Sequence, residues 1–257
     1  MIYNWNYEEP DAKVAEEAAE LAAAARIHPA LGRLLHERGM RTPAEVTQFF
    51  RPQLNTLHDP FLMNDMDKAV ERLNEAMGKK ERILVYGDYD VDGCTAVALV
   101  YKFLRQYYSH IDYYIPDRYD EGYGISHKSI EMAAESGVKL VIVLDCGIKA
   151  VEEIAYAKSL GVDFIICDHH VPDDVLPEAA AILNPKRHDN HYPYTELSGC
   201  GVGFKFMQAF ALNNGIEFNK LTSLLDLCAV SIASDIVPVM GENRILAYHG
   251  LRCLNSN

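Results

Sequence analysis

Three stretches of this 257-residue chain run apolar and then end abruptly in acid or imidazole. Ile83-Leu84-Val85-Tyr86-Gly87 leads into Asp88-Tyr89-Asp90-Val91-Asp92-Gly93, Leu140-Val141-Ile142-Val143-Leu144 into Asp145, and Phe164-Ile165-Ile166-Cys167 into Asp168-His169-His170. Short β-branched apolar runs between helical patterns read as buried parallel strands. Ligands bind in the crevice at the carboxyl ends of such strands. One edge of the inferred sheet therefore gathers up to five carboxylates and two imidazoles. Carboxylates that close repel one another unless a cation sits among them, so the pattern points to a metal site. Imidazole beside carboxylate suits Mn²⁺, Fe²⁺ or Zn²⁺, whereas oxygen-only sites suit Mg²⁺ or Ca²⁺. The chemistry that fits is in-line attack of an activated water on phosphorus, two cations holding the attacking and leaving oxygens.

Asp88, Asp90 and Asp92 stand at i, i+2 and i+4, which puts all three on one face if the segment is extended. The same spacing opens a calcium-binding EF-hand loop, but Leu99 occupies the twelfth position, where a bidentate glutamate belongs, and a strand precedes the motif. Gly93 lets the chain turn into a helix beginning near Cys94, whose N-terminus would offer N–H groups to a phosphate; alone, such a glycine marks an ordinary tight turn. Asp145-Cys146-Gly147 repeats the layout, although an aspartate there is as often a helix cap as a ligand. There is no Gly-x-x-x-x-Gly-Lys-Ser/Thr loop and no Gly-x-Ser-x-Gly elbow, so neither P-loop nucleotide hydrolysis nor acyl-serine chemistry has its key residues.

The elements that must position these residues alternate. Helical patterns cover 11–26, 28–38, 42–50 and 66–77, with a proline-bearing linker over 51–65. From Ile83 the order becomes strand 83–87, helix 94–107, strand 111–115, helix 126–136, strand 140–144, helix 150–160, strand 163–167 and a short fifth strand at 180–183. Helices follow over 201–213, 219–233 and 243–254. Such alternation predicts an α/β fold, a mostly parallel sheet of about five strands flanked by helices. A helical extension over 1–80 precedes the catalytic domain at 81–257.

Composition bounds the rest. An apolar content of 49% supports a real core, and no apolar run approaches the length of a membrane span. The six cysteines are scattered without a C-x-x-C pair, which argues for reduced thiols rather than a zinc knuckle or a disulfide framework, and so for the cytoplasm. The net charge of −13 counts against a protein that grips nucleic acid by bulk electrostatics, but not against a nuclease whose acids hold metal.

The motifs Val85 to Gly93, Leu144 to Ile148 and Asp168-His169-His170 resemble the first three of the DHH phosphoesterase superfamily. Leu197 to Lys205, Ala233 to Arg244, Ile115 to Arg118 with Glu121 to Gly124, and Asn184 to Arg187 resemble its RecJ branch, over residues 28–254 in all. The resemblance implies a single-strand-specific 5′→3′ DNA exonuclease of recombination and repair that releases mononucleotides and uses Mn²⁺ or Mg²⁺, as a pair of ions. It implies Asp90, Asp92, Asp145, His169 and Asp235 as metal ligands, with Asp88 as a further candidate. His170 is either a ligand or the group that orients the phosphate or protonates the leaving oxygen. Without the resemblance, Asp235 reads as a helix C-terminal residue.

Arg118 is the candidate for DNA phosphate contact, since a planar guanidinium suits bidentate recognition; the competing role is an ion pair with Asp117, Asp120 or Glu121. Lys186 and Arg187 are similar candidates, and Tyr119 and Tyr123 could stack bases or simply pack. Relatives continue into a second nucleic-acid-binding domain with a Gly-Gly-Gly-His motif, which this sequence lacks, so a truncated and weakly active catalytic half is also expected. The expected partners are single-stranded DNA, a single-strand-binding protein and a helicase, with no membrane. The alternatives are a phosphodiesterase of short oligonucleotides or cyclic dinucleotides, and a non-catalytic replication scaffold. The scaffold would be free to lose ligands, and none is missing. A pyrophosphatase is disfavoured by Tyr86, where that branch carries histidine.

Overall fold

The computed structural model describes residues 9–256. They form two compact units that part between Thr56 and Leu57. The first contains α1 (Ala12–Ala25), α2 (Pro29–Glu37) and α3 (Pro43–Phe50). Thr42 caps α3 with a complete capping box, its side chain accepting from the Glu45 N–H while Glu45 accepts from the Thr42 N–H, and Pro43 holds the first helical position.

In the second unit α4 (Met66–Gly78) precedes five strands: β1 (Arg82–Gly87), β2 (Ile111–Tyr114), β3 (Val138–Leu144), β4 (Asp163–Cys167) and β5 (Ala181–Leu183). Between them lie α5 (Val91–Leu104), α6 (His127–Glu135) and α7 (Val151–Ser159), and after them α8 (Gly199–Asn213), α9 (Phe218–Thr222), α10 (Leu225–Ser234) and α11 (Gly241–Leu254). The strands form one parallel sheet of five, as expected, in the order β2-β1-β3-β4-β5. The sequence boundary at 80/81 falls inside this unit, because α4 packs on α8 and on β3 and β5.

Alternate strand residues face opposite layers. Leu84, Tyr86, Val141, Val143, Phe164 and Ile166 pack with α6 and α7 residues such as Ile130 and Ile154. The other face is closed by α4, α5 and α8. Strands covered on both sides read as continuous apolar runs, which is why the sequence reveals them.

Register decides where the chemistry lies. Gly87 pairs with Leu144, and Leu144 with Cys167. The next residues, Asp88, Asp145 and Asp168, therefore leave three neighbouring strands side by side. Backbone bonds continue one step past the strands, from the Asp145 N–H to the Cys167 carbonyl (2.9 Å) and from the Asp168 N–H to the Leu183 carbonyl (3.0 Å).

Helix boundaries differ from expectation at two places that bear on the fold. The segment after β1 is not extended, since α5 starts at Val91 rather than near Cys94. Asp90 is its N-cap, accepting from the Gly93 N–H at 2.9 Å, and Asp92 already lies in the first turn. Gly93 is required by close approach, because a Cβ there would come within 2.4 Å of the Asp88 carbonyl oxygen. The single helix expected over 219–233 is two, α9 and α10, broken at Ser223 and Leu224. No helix of the described residues is long and apolar enough to cross a membrane.

Candidate metal centre

His169 stands at the middle of the site. Its Nε2 lies 3.1 Å from Asp145 Oδ1, 3.7 Å from Asp235 Oδ2 and 3.8 Å from Asp92 Oδ2. These residues come from four places: the end of β3, the end of β4, the first turn of α5 and the cap of α10. Two donor sets follow, Asp92–His169–Asp235 and Asp145–His169–His170, each with its ligand atoms within 4.8 Å of one another.

The carboxylates are fixed unequally. Asp92 is buried and accepts from the Gly199 and Cys200 N–H groups (2.7 and 2.8 Å) and from the Ser231 hydroxyl (2.8 Å). The N-terminal turn of α8, with its positive dipole end, thus holds this acid in place. Burial still pushes Asp92 above the usual carboxylate range, although the bond from Cys200 opposes it. Asp145 has no such support. Burial, and then the charges of Asp92, Asp90 and Asp168, push it up to about 10.

Buried atoms without hydrogen-bond partners collect here: Asp88 Oδ1, Asp145 Oδ1, and both ring nitrogens of His169. Buried polar groups are normally satisfied, and orphaned acceptors facing one another are what a cation would satisfy. The mixed oxygen and nitrogen donors fit Mn²⁺. A small residue also keeps the space open, since a Cβ on Gly199 would lie 2.5 Å from Asp145 Oδ1.

Asp168 is an organiser. Its Oδ1 accepts from the His169 N–H (2.7 Å) and His170 N–H (3.1 Å) and lies 2.7 Å from His170 Nδ1, while Oδ2 accepts from the Ile148 N–H at 2.9 Å. Burial would raise its pKa, but the His170 ring and these N–H groups together hold it below the usual range. The same hydrogen bond raises His170 above the ordinary histidine value. The half-exposed ring of His170 turns its Nε2 toward the Tyr123 hydroxyl at 3.5 Å. A cavity of about 520 Å³ adjoins it, lined by Tyr123, Gly147, Ile148, Lys149 and His170 among others.

The structure thus brings together Asp92, Asp145, His169, His170 and Asp235. Asp88 and Asp90 join neither donor set; Asp90 spends one oxygen on the helix cap, and Asp88 is buried at the β1 end. Arg118 is exposed, lies 5.2 Å from the Tyr89 ring centre, and has no acidic partner among the described residues, so the competing ion pair does not form. Arg187 is engaged within the protein. Its guanidinium is occupied by Asp65 (2.6 Å), Asp189 (2.7 and 3.0 Å) and the Ile182 carbonyl (2.7 Å). Lys186 is turned to Glu196 at 3.6 Å. Gly199, Cys200 and Ser231, which order Asp92, are not legible as site residues in the sequence.

Residues 82–232 match the DHH family, N-terminal domain. The chain is 38% identical over 250 residues to the single-stranded-DNA-specific exonuclease RecJ of Bacillus subtilis (strain 168), covering 97% of this chain and 31% of that protein. It is 37% identical over 246 residues to the protein of the same name from Escherichia coli (strain K12), covering 92% of this chain and 42% of that one. Among solved structures, RecJ in complex with Mn²⁺ from Thermus thermophilus superposes with a TM-score of 0.76 at 26% identity, over 95% of this chain and 33% of that one. An exonuclease RecJ bound to manganese gives 0.68 at 30% identity, over 74% and 48%. The chain therefore spans about a third to two fifths of the curated relatives it matches. On residues 82–232, which carry four of the five clustered groups, the chain belongs to the DHH family.

Proposed function

We propose that the chain carries the hydrolytic centre of a Mn²⁺- or Mg²⁺-dependent exonuclease that removes mononucleotides from the 5′ end of single-stranded DNA in recombination and repair. The observation that carries this is the convergence of Asp92, Asp145 and Asp235 on His169 Nε2, with orphaned buried acceptors around it. The names of the relatives supply the substrate class. Asp92, Asp145, Asp235 and His169 are the proposed ligands. When bound, such ions supply Lewis acidity for a phosphoryl oxygen and acidify a water for attack.

The chain's own groups do the rest. Asp168 fixes the His170 ring through Nδ1 and favours its protonated form, leaving Nε2 to donate a proton to the departing oxygen. The cavity beside it has the size of a nucleotide pocket. Arg118, free of acidic partners among the described residues and set over Tyr89, meets a phosphate of the strand. Helix α8 holds the Asp92 carboxylate in one orientation. A free strand end is required, so strands opened by a helicase and coated by single-strand-binding protein in the cytoplasm are the proposed setting.

The test is nucleotide release from 5′-labelled single-stranded DNA with Mn²⁺, against duplex DNA and a dinucleotide, with Asp145→Ala as control. Mononucleotides from single strands, abolished in the variant, support the proposal. Cleavage of the dinucleotide alone leaves a metal-dependent phosphodiesterase of short oligonucleotides, and cleavage of none refutes hydrolysis.

A further inference from the structure

Five residues other than glycine take a positive φ among the described residues: Arg26, Asp65, Lys80, Asp145 and Ile236. Ile236 alone is β-branched, the class this conformation suits least. It stands at φ 57°, directly after Asp235, the cap of α10, where helices ordinarily place glycine. The strain brings no packing in return, because Ile236 is 87% exposed.

The far end of the turn is held by neighbours. Asn243, fully buried, and Tyr194 both donate to the Pro238 carbonyl, at 3.1 and 3.0 Å. The Tyr194 ring also lies against Gly241, where a Cβ would come within 2.6 Å. The chain between Asp235 and Gly241 is thereby clamped at its far end, and Ile236 is held out into solvent. Strain of this kind persists only where neighbours over-determine it, and it collects at ligand-binding positions.

Asp235 reaches the cluster, with Oδ2 at 3.7 Å from His169 Nε2, and Ile236 is one Cα step of about 3.8 Å further on. A branched aliphatic group beside that cluster has nothing to offer a phosphate or a cation. The apolar surface that a bound strand brings there is the face of a base. We propose that Ile236 is a specificity-determining contact, its side chain covering a nucleobase of the strand whose phosphate lies at Asp92, Asp145, Asp235 and His169. This rests on the phosphodiesterase reading above.

The test compares kcat/KM with Mn²⁺ for a thymidine dinucleotide and for its analogues lacking one base or the other. The wild-type chain is expected to favour the base-bearing substrate by about tenfold, the worth of partly burying one isoleucine. Ile236→Gly is expected to collapse that preference to about one while raising the urea midpoint, since glycine adopts the left-handed region freely. Ile236→Asn, which also tolerates that region but offers no apolar surface, is expected to lose the preference as well. The inference is overturned if the wild type treats base-bearing and abasic substrates alike, or if Ile236→Gly keeps the preference. A fall in the midpoint also overturns it, because the side chain then serves packing within the protein. A wild-type chain that cleaves no dinucleotide overturns the phosphodiesterase reading together with the inference.

Discussion

His169 Nε2 lies 3.1 Å from Asp145 Oδ1, yet no hydrogen bond joins them, and both atoms are buried without partners. Two polar atoms this close and unsatisfied are expensive for a protein to maintain. The arrangement makes sense as a pair of ligands awaiting a shared cation. Removing the charge of Asp145 should therefore separate function from stability.

Asparagine is the informative substitution there, because Asp145 has φ 60° and asparagine tolerates that conformation whereas alanine does not. Asp145→Asn should leave the metal-free urea midpoint at or above that of the wild type, while Mn²⁺ no longer raises it. Hydrolysis should fall by about a thousandfold or more, corresponding to several kcal/mol of lost charge stabilisation. Asp145→Ala should lose the same activity and also some stability. A midpoint for Asp145→Asn well below the wild type would show that the carboxylate is structural.

The same carboxylate sets a pH dependence. Burial, reinforced by Asp92, Asp90 and Asp168, pushes Asp145 up to about 10 from an ordinary 3.8. The folded state then binds more protons than the unfolded state across that interval, so stability falls as pH rises through it. Asp92 is shifted in the same direction. Asp168 is shifted the other way, but its contribution is lost only as pH falls below the ordinary aspartate value. Urea midpoints in EDTA should decline from pH 5 through pH 7 to pH 9, and Mn²⁺ should abolish the decline. A profile that is flat or rising in EDTA would contradict the charge crowding.

How far the sequence discloses this site follows from how each residue is held. Asp88, Asp145 and Asp168 are legible because each ends a doubly buried strand, and a parallel register places strand ends side by side. Asp235 is legible only through resemblance, since a helix cap after α10 carries no pattern of its own. The ordering of Asp92 is not legible, because Gly199, Cys200 and Ser231 approach from more than a hundred residues away. Arg187 shows the converse limit. A basic residue after a strand suggests an anion site, but Asp65, distant in sequence, already pairs with it. Charge type is written locally, and charge partnership is written in the tertiary fold.

Away from the metal centre, Lys205 is fully buried and lies 3.1 Å from Glu242, which also accepts from the Tyr192 hydroxyl at 2.6 Å and the His58 N–H at 3.0 Å. Lys205 in turn donates to the His58 carbonyl at 2.6 Å. Burial pulls the lysine below its ordinary pKa while Glu242 opposes the shift. Breaking such a pair strands a buried charge, at a cost of about 3–5 kcal/mol. Lys205→Met should lower the urea midpoint accordingly, and adding Glu242→Gln should recover part of the loss. Equal midpoints for the wild type and the single variant would show that the pair contributes nothing.

Gly199 offers the sharpest probe of the space reserved for the ion. A Cβ there would stand 2.5 Å from Asp145 Oδ1 and 2.7 Å from its Cγ, yet the position is the first of α8, where alanine is a better helix former than glycine. Gly199→Ala should therefore fold, displace the Asp145 carboxylate, and lower the affinity for Mn²⁺ by about tenfold or more, as about 1.4 kcal/mol of lost coordination implies. Gly203→Ala, one turn along the same helix, is the control. Its Cβ would meet only Leu144 Cδ2 at 3.2 Å and Val100 Cγ2 at 3.3 Å, so metal binding should stay as in the wild type. Titration calorimetry with MnCl₂ reads both variants. If Gly199→Ala binds Mn²⁺ as the wild type does, Asp145 has no part in holding the ion, and the centre must be rebuilt on Asp92, His169 and Asp235 alone.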